Sequence, residues 1–112
     1  MRAEQLTDSS QVQALIDGDE PAWIFKHSTA CPVSARAYQA FGRYVDEHED
    51  DPAGVIVVQE HRDLSNEVAE QTGVRHQTPQ VLLVRGGQVL WHSSHMRITR
   101  DAMERAHDEH AG

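Results

Sequence analysis

Apolar positions along the chain switch between helical and strand spacing. In 9–17, Val12, Leu15 and Ile16 fall on one helical face, with Ser9 or Ser10 placed to cap the segment. The turn signal Gly18-Asp19-Glu20-Pro21 leads into a short strand, "AWIFKH", at 22–27. Helical spacing returns behind Pro32, whose missing N–H and fixed φ suit a first helical turn, and continues through Val33, Ala37, Ala40, Phe41, Tyr44 and Val45. It fades in "DEHEDDPAG", where Pro52 and Gly54 mark a loop. The segment "GVIVVQEH", 54–61, contains a continuous β-branched run at 55–58, the signature of a strand covered on both faces. "RDLSNEVAEQTGV" reads as a helix, with Asp63 placed to cap it, Leu64, Val68 and Ala69 on its apolar side and Gly73 at its end. "QVLLVRGGQVLWHS" reads as a hairpin around Gly86-Gly87. Thr99 caps a last helix, "RDAMERAHDEH", with Ile98 and Met103 spaced for a hydrophobic staple.

The order α-β-α-β-α-β-β-α predicts a single α/β domain over 1–112. Strands joined through helices pair in parallel by right-handed crossovers, and the terminal hairpin adds antiparallel strands. The expected architecture is three layers, a central mixed four-stranded sheet flanked by helices.

Charge narrows the partners. The net charge is -8, from 18 acidic and 10 basic residues, and Lys26 is the one lysine. That balance argues against nucleic acid or an anionic membrane, both of which need clustered positive charge. No apolar run reaches membrane-spanning length, and "MRAEQLTDSS" lacks the apolar core of a signal peptide. A cytoplasmic location is expected.

The chain's single cysteine, Cys31, excludes an intramolecular disulfide and zinc sites built on several cysteines. An inert core thiol or a reactive one remains. Its place decides what to expect: it follows the strand at 22–27 and directly precedes Pro32, at the mouth of a helix. This place, with the element order, is that of the reactive cysteine in a thioredoxin-like fold. Free N–H groups and the positive helix end favour a thiolate there, and the thiolate is the species that attacks disulfides. Ser34 stands three residues on, where a dithiol oxidoreductase has its resolving cysteine. Its hydroxyl can donate to a thiolate or simply fill a polar position near the helix start, but it cannot close a disulfide. Any mixed disulfide on Cys31 must be resolved by a thiol from outside. Thr78-Pro79, before the strand "QVLLV", is expected to be a cis peptide beside the cysteine loop, leaving the N–H and C=O of Thr78 to hold an extended substrate. The plainer alternative is a trans proline opening a strand.

Two phrases carry a family resemblance. "FKHSTACPVS" together with "WHSSHMRIT" resembles the YtxJ-type monothiol bacilliredoxins, thioredoxin-like proteins of the bacillithiol system in bacteria. The family's Thr-Cys-Pro-Ile-Ser pattern is similar to Thr29-Ala30-Cys31-Pro32-Val33-Ser34, with Ala30 intervening and Val33 in place of isoleucine. The likeness runs from about residue 5 to 107. It implies that Cys31 takes bacillithiol from a bacillithiolated client protein, and that a second thiol, such as free bacillithiol, restores Cys31. Bacillithiol is then a cosubstrate, with no tightly bound cofactor. Thr29, Pro32, Thr78 and Pro79 would shape the substrate site, and Arg75, with His76, would border it and meet bacillithiol's carboxylates.

Other candidates are plainer. Lys26 and His27 alternate in direction at the strand end; either can favour the thiolate by charge or be a polar strand terminus. His92 and His95 lie on the last strand, expected to run away from Cys31, and read as a structural network holding the last helix. His107 and His110 sit one turn apart, but a zinc site wants three or four ligands, so no metal is expected. Trp23 and Trp91 read as packing residues. Two rivals remain open: a monothiol protein that binds an iron–sulfur cluster between subunits, revealed by visible absorption, and a thioredoxin-like binding module whose cysteine is an ordinary thiol.

Overall fold

The computed structural model describes residues 1–111. Its elements are β1 (Glu4–Gln5), α1 (Ser9–Asp17), β2 (Ala22–His27), α2 (Pro32–Glu47), β3 (Ala53–Val57), α3 (Arg62–Thr72), β4 (Gln80–Arg85), β5 (Gln88–Ser94), a 3-10 turn (His95–Arg97) and α4 (Arg100–His110). The sheet runs in the order β1-β3-β2-β4-β5. β1, β2 and β3 pair in parallel, while β4 lies antiparallel to both β2 and β5. The expected mixed sheet is therefore present, with one strand more than the four read from hydrophobic pattern.

β1 escapes pattern reading because it is only two exposed polar residues held by backbone pairing to β3. Leu6, just beyond it, is buried and donates its N–H to the Val55 carbonyl at 2.8 Å. A Cβ on Gly54 would meet the Leu6 side chain at 2.7 Å, so glycine at that position is what lets Leu6 seat.

Alternation along the fully buried β2 builds two cores. Trp23 and Phe25 pack with Phe41, Tyr44 and Met103 on the α2–α4 side. Ala22 and Ile24 pack with Ile16, Leu64 and Val68 on the α1–α3 side. Trp23 is wholly buried and meets Tyr44 and Trp91 edge-on. Ile98 and Met103 are both buried in the first core, and Thr99 accepts the Ala102 N–H as the α4 cap. Gly73 closes α3 in left-handed geometry, and Gly86 and Gly87 supply the two positive φ values, 59° and 82°, of the β4–β5 turn.

Two caps differ from expectation. Asp8, not Ser9 or Ser10, caps α1: its carboxylate accepts the Gln11 N–H, and the Gln11 side chain reaches back to the Asp8 N–H. Only the residue three before Gln11 can form this reciprocal box, which favours Asp8 over its serine neighbours. At α3 the cap position is His61, without a side-chain bond, and Asp63 lies inside the first turn.

Candidate active site

β2 and β4 bring the expected reactive parts to one end of the sheet. Lys26 pairs with Gln80 in register. The chain leaving β2 toward Cys31 and the chain entering β4 from Thr78-Pro79 therefore meet there. Thr78-Pro79 is cis. Among the described residues, neither the N–H nor the carbonyl of Thr78 has a backbone partner, whereas the Pro79 carbonyl accepts the His95 N–H at 3.0 Å.

Cys31 is the N-cap residue of α2, partly exposed, with extended backbone and no side-chain capping bond. Its carbonyl accepts the Ala35 N–H at 3.0 Å, while its sulfur is left free at the helix mouth. Pro32 at the first helical position brings no N–H, so the unsatisfied donors of that turn are those of Val33 and Ser34. Such N–H groups, with the helix dipole, stabilise an anion at the cap.

Ser34 is fully buried under this loop. It accepts the Ser28 N–H at 2.9 Å and shares a 2.8 Å hydrogen bond with His27 Nδ1. The observed bonds thus fasten the loop rather than reach the sulfur. His27 stacks on Tyr38 at 4.2 Å with planes 10° apart. Burial lowers the His27 pKa, so the ring is neutral beside Ser34 at neutral pH. Gln59, beyond β3, completes the brace by donating to Ser28 Oγ at 2.9 Å and accepting from the Thr29 N–H at 3.4 Å.

Lys26 points to the opposite layer. It is wholly buried and donates from Nζ to the Ser65 carbonyl at 3.0 Å and to His76 Nδ1 at 3.1 Å. His76 Nε2 lies 3.2 Å from Thr78 Oγ1. An ammonium group only donates, so Nδ1 accepts, Nε2 carries the proton, and the ring donates to Thr78. Burial pushes the Lys26 pKa down to about 8. Burial and the charges of Lys26 and Arg62 lower that of His76, keeping it neutral. Gln80 Nε2 donates to the Arg75 carbonyl at 3.0 Å, tying the same loop to β4. Lys26 and His27 do end β2 and face opposite layers, as strand alternation predicts; what the sequence did not indicate is that both are buried, each hydrogen-bonded within its own layer.

The arrangement is a lone thiol at a helix mouth beside a cis-proline, with a hydroxyl where a second thiol would stand. The monothiol bacilliredoxin BrxC family matches residues 4–103. The chain belongs to the monothiol bacilliredoxins. Among solved structures, the bacilliredoxin is similar to a thioredoxin-fold protein assigned as an oxidoreductase, with 32% identity, a TM-score of 0.85, and 93% of this chain and 92% of that chain covered. Thioredoxin from Malassezia sympodialis matches at TM-score 0.77 and 16% identity over 98% and 91% of the two chains. Mitochondrial thioredoxin 3 from Saccharomyces cerevisiae matches at 0.75 and 17% over 96% and 94%. The last two establish fold alone. Fold and family together place the bacilliredoxin in thiol–disulfide redox chemistry, exchanging with thiol-modified client proteins.

The remaining candidates divide. Thr29 and Pro32 are exposed beside Cys31, Thr78 is half-buried and Pro79 buried. Arg75 is exposed, with its carbonyl rather than its guanidinium engaged in the loop. His95 is a correction. β5 is the edge strand, beyond β4 from the strand that leads to Cys31, but His95 adopts a left-handed backbone (φ 57°) that turns the chain back, and the 3-10 turn packs on α2 near Pro32 and Val33. His107 Nε2 lies 3.2 Å from Asp51 Oδ2, joining α4 to the loop before β3. Among the described residues, no helix is long and apolar enough to cross a membrane. Sequence reasoning missed Gln59, whose only signal was a polar pair, Gln59-Glu60, directly after an apolar strand.

Proposed function

We propose that the bacilliredoxin removes bacillithiol from S-bacillithiolated proteins. The Cys31 thiolate attacks the bacillithiol sulfur of the client's mixed disulfide. A bond forms between Cys31 and that sulfur, the client's sulfur–sulfur bond breaks, and the client leaves as a thiolate. Free bacillithiol, as thiolate, then attacks the adduct on Cys31, releasing bacillithiol disulfide and restoring Cys31. Bacillithiol is thus a cosubstrate and nothing need be tightly bound.

One observation carries this reading. The only thiol stands open at the α2 mouth, while the position three residues on is a buried serine whose hydroxyl is already engaged. An adduct on Cys31 therefore has no internal thiol to displace it and waits for an external one. Cys31 is the nucleophile, with the Val33 and Ser34 N–H groups holding its negative charge. Ser34 is a positioning residue that fixes the loop from Ser28 to Cys31. Thr78 offers its free N–H and C=O to the substrate backbone, with Pro79, Thr29 and Pro32 as walls. Arg75 supplies a positive charge at the rim for bacillithiol's carboxylates.

The test is to mix reduced protein with bacillithiol disulfide, and separately with glutathione disulfide, and follow intact mass. The expected result is an adduct on Cys31, formed faster with bacillithiol and absent in Cys31→Ser. No adduct with either disulfide, despite alkylation of Cys31 by iodoacetamide, overturns the reading.

A further inference from the structure

Beside the nucleophile lies a groove of about 600 Å³ between α2 and the segment joining β5 to α4. Val33, Ala37, Ala40, Met96 and Ile98 line it with apolar surface, and Arg36 and Arg43 stand along its α2 wall. Among the described residues, the large hydrophobic side chains left exposed are Met1, Val33 and Met96, the last at 73%. Two of the three flank this groove, and Val33 is two residues from Cys31. The left-handed turn at His95 is what carries Met96 there.

The charges are as selective as the apolar surface. Neither Arg36 nor Arg43 forms an ion pair among the described residues, whereas Arg100, at the far end, is held by Glu47, Asp101 and Glu104. Arg43 lies seven positions, about two turns, beyond Arg36, so the two arginines stand on one face with a rise of about 10 Å between their backbone positions; Arg43 also feels the Glu47 carboxylate one turn on, without a close ion pair. In a chain of net charge -8, the α2 wall of this groove is positive, with Arg36 nearer the thiol and Arg43 two turns farther along, while Asp101 on the opposite side is engaged by Arg100; that wall selects a partner by sign.

We propose that this groove docks the client protein, taking a segment that carries an apolar side chain near its capped cysteine and acidic residues beyond it. The apolar lining favours a polypeptide over the sugar of a small thiol. A flexible, exposed methionine suits clients of differing shape. The inference rests on the exchange reading above and adds to it which clients react fastest.

The test uses two synthetic peptides, each with one cysteine disulfide-bonded to bacillithiol and a neighbouring leucine, one ending in Asp-Glu-Asp and the other in Asn-Gln-Asn. Transfer of bacillithiol to Cys31 is timed by quenched-flow mass analysis. At low salt the acidic peptide should transfer about fivefold faster, the effect of one or two exposed charge pairs. The advantage should shrink in 0.5 M salt, and the ratio should fall to about one in the double variant Arg36→Gln/Arg43→Gln. Met96→Ser should slow both peptides. Equal rates in the parent protein, or an acidic advantage that survives the double variant, overturn the docking inference while leaving the exchange reading intact. Failure of both peptides to transfer overturns the exchange reading itself.

Discussion

β2 ends in two consecutive polar residues that serve opposite layers. His27 faces α2 and holds Ser34, hence the loop bearing Cys31. Lys26 faces α3 and holds His76, hence Thr78 before the cis-proline. On the α2 side the network is neutral, and a stacked Tyr38 covers it. On the α3 side it is built on a buried ammonium with no carboxylate among its hydrogen-bond partners, so desolvation is the whole cause of its lowered pKa. The two halves of the site are thus fastened to the core by different chemistry, one vulnerable to loss of a hydrogen-bond partner and the other to the cost of a buried charge.

The largest expected effect comes from breaking the α2 side. Ser34→Ala leaves the Ser28 N–H and His27 Nδ1 without their shared partner under a sealed loop. A buried group left unsatisfied costs about 1–3 kcal/mol. Urea unfolding at pH 7 should show a loss of about 2 kcal/mol, and bacillithiol transfer to Cys31 should slow because the loop is no longer held. A stability within 0.5 kcal/mol of the parent, on the order of an ordinary surface change, would mean the Ser34 bonds do not hold the loop.

The α3 side separates by pH. Lys26 is lowered from 10.5 to about 8, so between these values the unfolded chain binds the extra proton. Stability attributable to Lys26 therefore rises with pH across that window, by at most about 1.4 kcal/mol per pH unit for one proton. Above pH 10 Tyr44 opposes it, because burial raises that phenol's pKa and the unfolded chain loses its proton first. His27 and His76 are also lowered, so their contribution falls away as pH drops below their ordinary value of 6.5. Lys26→Met should flatten the rise above pH 8 and make the acid-side fall shallower without abolishing it, because the Lys26 charge no longer lowers the His76 pKa while burial still lowers those of His76 and His27. An unchanged alkaline slope in denaturant melts from pH 7.5 to 10 would show that Lys26 is not the group responsible.

This division was only half legible in the chain. The helices and strands were, because each keeps its apolar period over five residues or more, and β1 was not, because two polar residues carry no period. Cys31-Pro32 and Thr78-Pro79 were legible because their chemistry is local: a cap position and a peptide bond. The Lys26 network was not, since its partners are 39 and 50 residues away and nothing in "FKHS" says which layer each side chain enters or how deeply. His95 misled for a related reason. An edge strand leads away from Cys31, but one left-handed residue at its end reverses the path.

The smallest effect sharpens the contrast furthest. Tyr38 lies one helical turn beyond Ser34 and covers the His27 ring face to face. Tyr38→Leu keeps most of the apolar cover and removes the stack, which is worth about 0.5–1.5 kcal/mol. It also opens the ring to water. Since desolvation is what lowers the His27 pKa, that pKa should climb back toward 6.5 in an NMR titration. The acid-side loss of stability should then become shallower, because folded and unfolded states differ less in the protons His27 binds. The Lys26 window should not move, since Tyr38 touches only the α2 layer. A His27 titration identical to the parent's would show that the sheet and the Ser34 loop, rather than the tyrosine, exclude water from the imidazole. A simultaneous shift in the alkaline window would show that the two layers communicate through β2 and are not independently fastened.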